Sequence, residues 1–114
     1  MSEDERITHQ DFKYLTYTTA YAAVLRAKSD MMIETTVGGL SYIYAKMYVE
    51  AVKLLCTLYI QEQTPHVFDD SIVELFKDVY EDEACSSIIQ ADIASSTILE
   101  DNIWNKMKSV ASIE

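Results

Sequence analysis

The sequence predicts an all-α protein, a compact bundle of four to five helices. Only two glycines and one proline occur in 114 residues, which favours long uninterrupted elements over a turn-rich sheet. Apolar residues make up 49% of the chain, enough for a modest core, and they recur at helical spacing. The length predicts a single helical domain over residues 9–114, preceded by a flexible acidic tail at residues 1–8.

The first two helices are predicted over residues 9–34 and 41–63, on either side of Gly38-Gly39. The second helix is apolar on more than one side, which is typical of a central or interface helix. Its most regular stripe is expected to face the core: Leu40, Ile43, Tyr44, Met47, Ala51, Leu54, Leu55 and Leu58. Its further apolar side predicts an oligomer interface, such as that of a homodimer, formed by Tyr42, Tyr48, Val52 and Tyr59.

The glycine pair also permits an α+β alternative with one short β-hairpin. Val37-Gly38-Gly39-Leu40 fits a two-residue turn, because both glycines tolerate positive φ. That turn pairs Thr35 with Tyr42 and Ile33 with Tyr44. The sequence leaves residues 31–44 open between a hairpin and two helix ends.

Three further helical segments follow Thr64-Pro65, which ends the second helix because the residue before proline avoids helical backbone. Ser71 and Glu74 form a capping-box pattern that predicts a helix over residues 72–84, although Asp69 or Asp70 also suits the cap. The helical pattern continues over residues 85–96. A second capping box, at 97 and 100, predicts a last helix carrying Trp104.

Negative charge is concentrated in the second half of the chain. The net charge is −10, of which residues 64–114 contribute −8. Four carboxylates recur at i, i+4, i+8 and i+11 on the predicted third helix. The first three lie about 6 Å apart along one stripe of that helix. Two more carboxylates follow at the end of the helix. This stripe is interpreted either as a solvated face or as a partner-binding surface formed by Asp70, Glu74, Asp78, Glu81, Asp82 and Glu83.

The residues that usually carry catalysis are not grouped in motifs. His9 and His66 are far apart, and Cys56 and Cys85 are expected to be free thiols in a reducing compartment. No glycine-rich phosphate loop or metal-ligand spacing is present, so we expect no cofactor, no metal and no enzymatic activity. The N-terminus lacks a signal-peptide pattern, and the most apolar window, residues 40–60, holds three charged residues, so a cytoplasmic location is expected.

The charge argues against nucleic acid and anionic membranes as direct ligands and favours a basic protein partner, such as a nuclease, toxin or nucleic-acid-binding protein. In general profile the chain is similar to immunity proteins and nucleic-acid-mimic inhibitors, although no motif identifies a family. We therefore expect a non-enzymatic acidic protein that inhibits or neutralises such a partner. The alternative is a self-assembling helical structural or adaptor protein with a tyrosine-rich interface.

Overall fold

The all-α prediction is confirmed by the computed structural model, which describes residues 9–37, 41–96 and 102–113. The predicted tail, the Gly38-Gly39 turn and the capping box at residues 97–100 lie outside these ranges. The described residues form five α-helices and one 3₁₀ turn: α1 His9–Val37, α2 Ser41–Ile60, the 3₁₀ turn His66–Phe68, α3 Asp69–Glu81, α4 Glu83–Ala94 and α5 Ile103–Val110.

The β-hairpin alternative is wrong. Ile33 and Val37 belong to α1, while Tyr42 and Tyr44 belong to α2, so the segments that would have paired as strands are helical. Helix growth is cooperative, and each long periodic segment extends its helix towards the glycine pair. At its other end α2 stops at Ile60, because Glu62 adopts a left-handed φ of 58° and ends the helix there.

The third and fourth helices meet at a sharp break at Asp82. Its backbone is extended, with ψ at 126°, and its side chain accepts a hydrogen bond of 3.0 Å from the backbone N–H of Cys85. Asp82 therefore caps α4. The predicted cap at Ser71 is wrong, because α3 begins at Asp69 directly after the 3₁₀ turn and Ser71 lies within its first turn.

Helix α2 lies at the centre of the molecule. It packs against α1 in an antiparallel hairpin, and it also contacts α3, α4 and α5. The 3₁₀ turn reinforces the hairpin, since Phe68 stacks on Tyr17 of α1 with ring centroids 3.9 Å apart. The largest fully buried side chains come from four of the helices: Trp104, Phe76, Leu55, Ile72, Ile89 and Met107.

The structure confirms the two predicted sides of α2 only in part: Leu55 of the core stripe is fully buried, but several other residues have the opposite exposure to that predicted. Tyr48 is 3% exposed and Val52 is fully buried in the core of the chain itself, so neither is available to an oligomer interface. Tyr59 is half-buried, and Tyr42 is 66% exposed. Helices α3–α5 cover the side that holds Tyr48 and Val52. Much of the predicted core stripe is left more than half exposed, namely Ile43, Met47 and Leu54.

Candidate functional site

All six predicted partner-binding carboxylates lie exposed on or beside α3. We call this surface, formed by Asp70, Glu74, Asp78, Glu81, Asp82 and Glu83, the acidic face. With 3.6 residues per turn, the four on α3 fall within an arc of about 80°. The opposite side of α3 is buried, so the acidic face points away from the core: Ile72, Phe76 and Val79 are at most 1% exposed.

The buried side of α3 holds the acidic face in a fixed position. Phe76 packs on Trp104 of α5, with ring centroids 6.1 Å apart and planes 22° from parallel. It also contacts Tyr80 at 5.7 Å, within α3 itself. Aromatic side chains of this size contribute strongly to core packing. The four carboxylates on α3 therefore project from a rigid helix and not from a loop, which reduces the ordering cost of binding.

Little of this charge is neutralised within the described part of the chain. Lys77 Nζ lies 3.8 Å from Glu74 Oε1, and both side chains are exposed, so this ion pair is weak. Lys108 lies over the ring of Tyr80, 5.8 Å from its centroid, in a cation–π contact. Most of the acidic face is left to interact with solvent or with a cationic partner.

The negative charge of this region also acts on tyrosines beneath it. Burial raises the pKa of Tyr48 to about 12, and the charges of Cys85, Asp78 and Asp82 act in the same direction. Burial also raises the pKa of Tyr59, with further contributions from Asp69 and Asp70.

The thiols are free, as the sequence predicted, and both are buried. Burial raises the pKa of Cys56 to about 12. The pKa of Cys85 is also raised to about 12, first by burial and then by its hydrogen bond with Asp82. A nucleophilic cysteine needs a lowered pKa, so neither thiol is activated.

A small cavity near the end of α2 contains the one histidine whose side chain is described. His66 Nδ1 lies 3.2 Å from Asp69 Oδ2, and the His66 side chain is 76% exposed. The cavity, also lined by Thr64 and Glu62, has a volume of about 210 Å³, below the roughly 300 Å³ at which ligand pockets begin. Across the described ranges, no three His, Cys, Asp or Glu residues are grouped to hold a metal ion.

Sequence reasoning missed a polar network that joins three helices. Asp92 Oδ2 of α4 accepts hydrogen bonds from Lys53 Nζ of α2 at 2.6 Å and from Trp104 Nε1 of α5 at 2.7 Å. Burial raises the pKa of Asp92, but these two bonds and the Lys53 charge outweigh it and hold the pKa below its ordinary value. Lys53 is 39 positions from Asp92, so no local pattern reveals the contact.

The chain matches no protein-family model, no curated protein and no solved structure. None of the helices in the described ranges has both the length and the apolar character that crossing a bilayer requires.

Proposed function

We propose that this chain is a non-enzymatic binding protein that inhibits or neutralises a basic protein, such as a nuclease or toxin, by covering its cationic site. One observation carries the proposal: six exposed carboxylates stand on or beside a rigid helix, and among the described residues a single weak ion pair partly neutralises them. A nuclease or nucleic-acid-binding protein presents lysines and arginines to a row of phosphates. The acidic face offers such a site a comparable row of negative charges.

Binding of this kind has a characteristic dependence on salt. Long-range attraction steers the two proteins together, so association is fast at low ionic strength. Mobile ions screen charges within about 10 Å at 0.1 M salt, so added salt slows association. Nucleic acid and anionic membranes are not direct ligands in this proposal, because they carry the same sign of charge as the acidic face.

The proposed place of action is the cytoplasm. The support for it is that both cysteines are free thiols, which is the usual state in a reducing compartment. A secreted domain of comparable size would more often use its cysteines in a disulfide.

Affinity capture from the native host tests the proposal. The wild-type chain is expected to retain a basic protein at low salt and release it at high salt. The double variant E74K/D78K is expected to retain none, because it reverses two adjacent charges of the acidic face. A matched control, D30K/E62K, changes the net charge equally but outside the acidic face, and it is expected to bind like wild type.

Two outcomes would overturn the proposal. Capture that persists in E74K/D78K would mean that the acidic face is only a solvated surface. Equal loss of capture in D30K/E62K would mean that overall charge, and not this face, controls binding.

A further inference from the structure

The outward side of the α1–α2 hairpin is largely apolar, interrupted by the charged residues Arg26, Asp30 and Glu50, and it is uncovered in a single copy. Its large side chains on both helices are more than half exposed, apart from Leu58, which is half-buried. Scattered exposed apolar residues are normal, but a continuous patch along two helices marks an interaction surface. We call this surface the hairpin face; it consists of Phe12, Leu15, Thr19, Ala22, Ala23 and Ile33 of α1 with Ile43, Met47, Leu54 and Leu58 of α2.

A groove runs between the two helices on this side. Small residues of α1, including Thr19 and Ala23, line it together with the larger Leu54 and Leu58 of α2. Its volume is about 420 Å³. An apolar groove between helices suits the apolar side of another helix.

Charge distinguishes the partner of the hairpin face from the partner of the acidic face. Residues 9–60 hold five bases and four acids, a net charge of +1. Residues 61–114 hold three bases and twelve acids, a net charge of −9. A nearly neutral surface does not attract a strongly charged protein, and two such surfaces do not repel each other. The hairpin face therefore fits a second copy of this chain.

The size of the hairpin face is sufficient for a dimer. Two adjacent helices, each about 10 Å across, give a face of about 600 Å² over the roughly 30 Å length of α2, which has 20 residues. Two copies would bury about 1,200 Å² in total, at the lower end of stable interfaces.

We infer that two copies pair through their hairpin faces as a four-helix bundle, with the two-fold axis parallel to the helices. Each α1 then lies antiparallel on α2 of the second copy. Within one copy, Thr19 and Ala23 of α1 lie beside Leu54 and Leu58 of α2. Because the two-fold axis is parallel to the helices, these small side chains also lie opposite the two leucines of the other copy.

This arrangement also pairs two charged residues that lie within the hairpin face itself. Arg26 of α1 and Glu50 of α2 are both exposed, and neither forms an ion pair within the described ranges. The two-fold axis brings Arg26 of each copy close to Glu50 of the other. The dimer therefore contains two equivalent ion pairs, and they favour this antiparallel register over others.

Sedimentation equilibrium of the full chain over a dilution series tests the inference. Wild type is expected to sediment as a dimer of the 13.0 kDa chain and to dissociate on dilution. L54K is expected to raise the dimer dissociation constant at least about tenfold, because it places a charge in the centre of the contact. The matched control is L25K: Leu25 is 51% exposed but lies about 120° around α1 from Thr19, so no change is expected. Circular dichroism should show that both variants keep the wild-type helix content.

A charge swap tests the register. R26E and E50R alone are each expected to raise the dissociation constant, by about three- to tenfold. The double variant R26E/E50R restores the opposite charges and is expected to return to within about threefold of wild type. E74K/D78K is expected to leave the dimer unchanged, which separates this inference from the function of the acidic face.

Four results would overturn the inference. These are a wild-type chain that is monomeric at every concentration, a dimer that persists in L54K, equal dissociation in L25K, and dissociation in E74K/D78K. A swap that fails to restore the dimer would overturn the antiparallel register.

Discussion

Replacing Asp92 with asparagine tests the network that joins α2, α4 and α5. In the native chain the carboxylate accepts hydrogen bonds from Lys53 at 2.6 Å and from Trp104 at 2.7 Å. Asparagine has nearly the same size but carries no charge. The ion pair with Lys53 is therefore lost, and the bond from Trp104 becomes a neutral one.

The expected loss of stability follows from the two contacts. The Lys53 and Asp92 side chains are each 32% exposed, so their ion pair contributes about 0.5–1 kcal/mol. Replacing a charge-assisted hydrogen bond by a neutral one removes about another 0.5–1.5 kcal/mol. We expect D92N to lower the free energy of unfolding by about 1–2.5 kcal/mol, which corresponds to a fall in Tm of roughly 4–10 °C for a domain of this size.

The effect of D92N has a defined pH dependence. The folded pKa of Asp92 lies below its ordinary value, because the hydrogen bonds from Lys53 and Trp104 outweigh the effect of burial. Its contribution to stability is therefore fully present above the unfolded pKa of about 3.9 and is lost as the pH falls through the folded pKa. The stability difference between wild type and D92N should be largest at neutral pH and shrink in acid.

Urea denaturation measures the stability difference between wild type and D92N at neutral pH and near pH 3. An ordinary aspartate is mostly protonated near pH 3. The fluorescence of Trp104 reports unfolding, since it is the single tryptophan of the chain. K53M serves as a comparison, because it keeps the bond between Trp104 and Asp92 and should cost less than D92N. Equal stability of wild type and D92N at neutral pH, or a difference that is unchanged in acid, would refute the reasoning.

Three further predictions concern the packing of α1, the thiols and the acidic face. F68A should destabilise the chain by about 2 kcal/mol, seen as a lower urea midpoint, because it removes the ring stacked on Tyr17. Iodoacetamide should label neither cysteine in the folded chain and both after unfolding, as measured by mass spectrometry; rapid labelling of the folded chain would contradict their burial. E74K/D78K should keep the wild-type helix content and unfold within about 0.5 kcal/mol of wild type, because both side chains are exposed; a large loss of helicity by circular dichroism would contradict this.

Most of the fold could be predicted from the sequence because the signals are local. Apolar spacing and the scarcity of glycine and proline identify the helices within a few residues. The faces of α2 could not be assigned in the same way, because periodicity locates apolar sides without showing which one the rest of the chain covers. Val52 and Leu54 are both apolar, yet contacts with distant helices bury the first and leave the second exposed.

The candidate site likewise combines local features that the sequence predicts with long-range contacts that it does not. Most of the acidic face could be predicted because four of its six carboxylates share a single helix, where spacing fixes their relative positions. The contact of Asp92 with Lys53 and Trp104 depends on the packing of three helices and leaves no short pattern. Asp82 has one role of each kind. The sequence predicts its place in the acidic face, whereas only the structure shows that its side chain caps α4.

The most direct test of the proposed function is the association rate of the purified chain with the basic protein that it captures, measured over a salt series. The account predicts that the wild-type rate falls steeply with salt and that E74K/D78K is slower by at least about tenfold at low salt, with a flatter salt dependence. The D30K/E62K control should follow the wild-type curve. An unchanged rate and salt dependence in E74K/D78K would contradict the account.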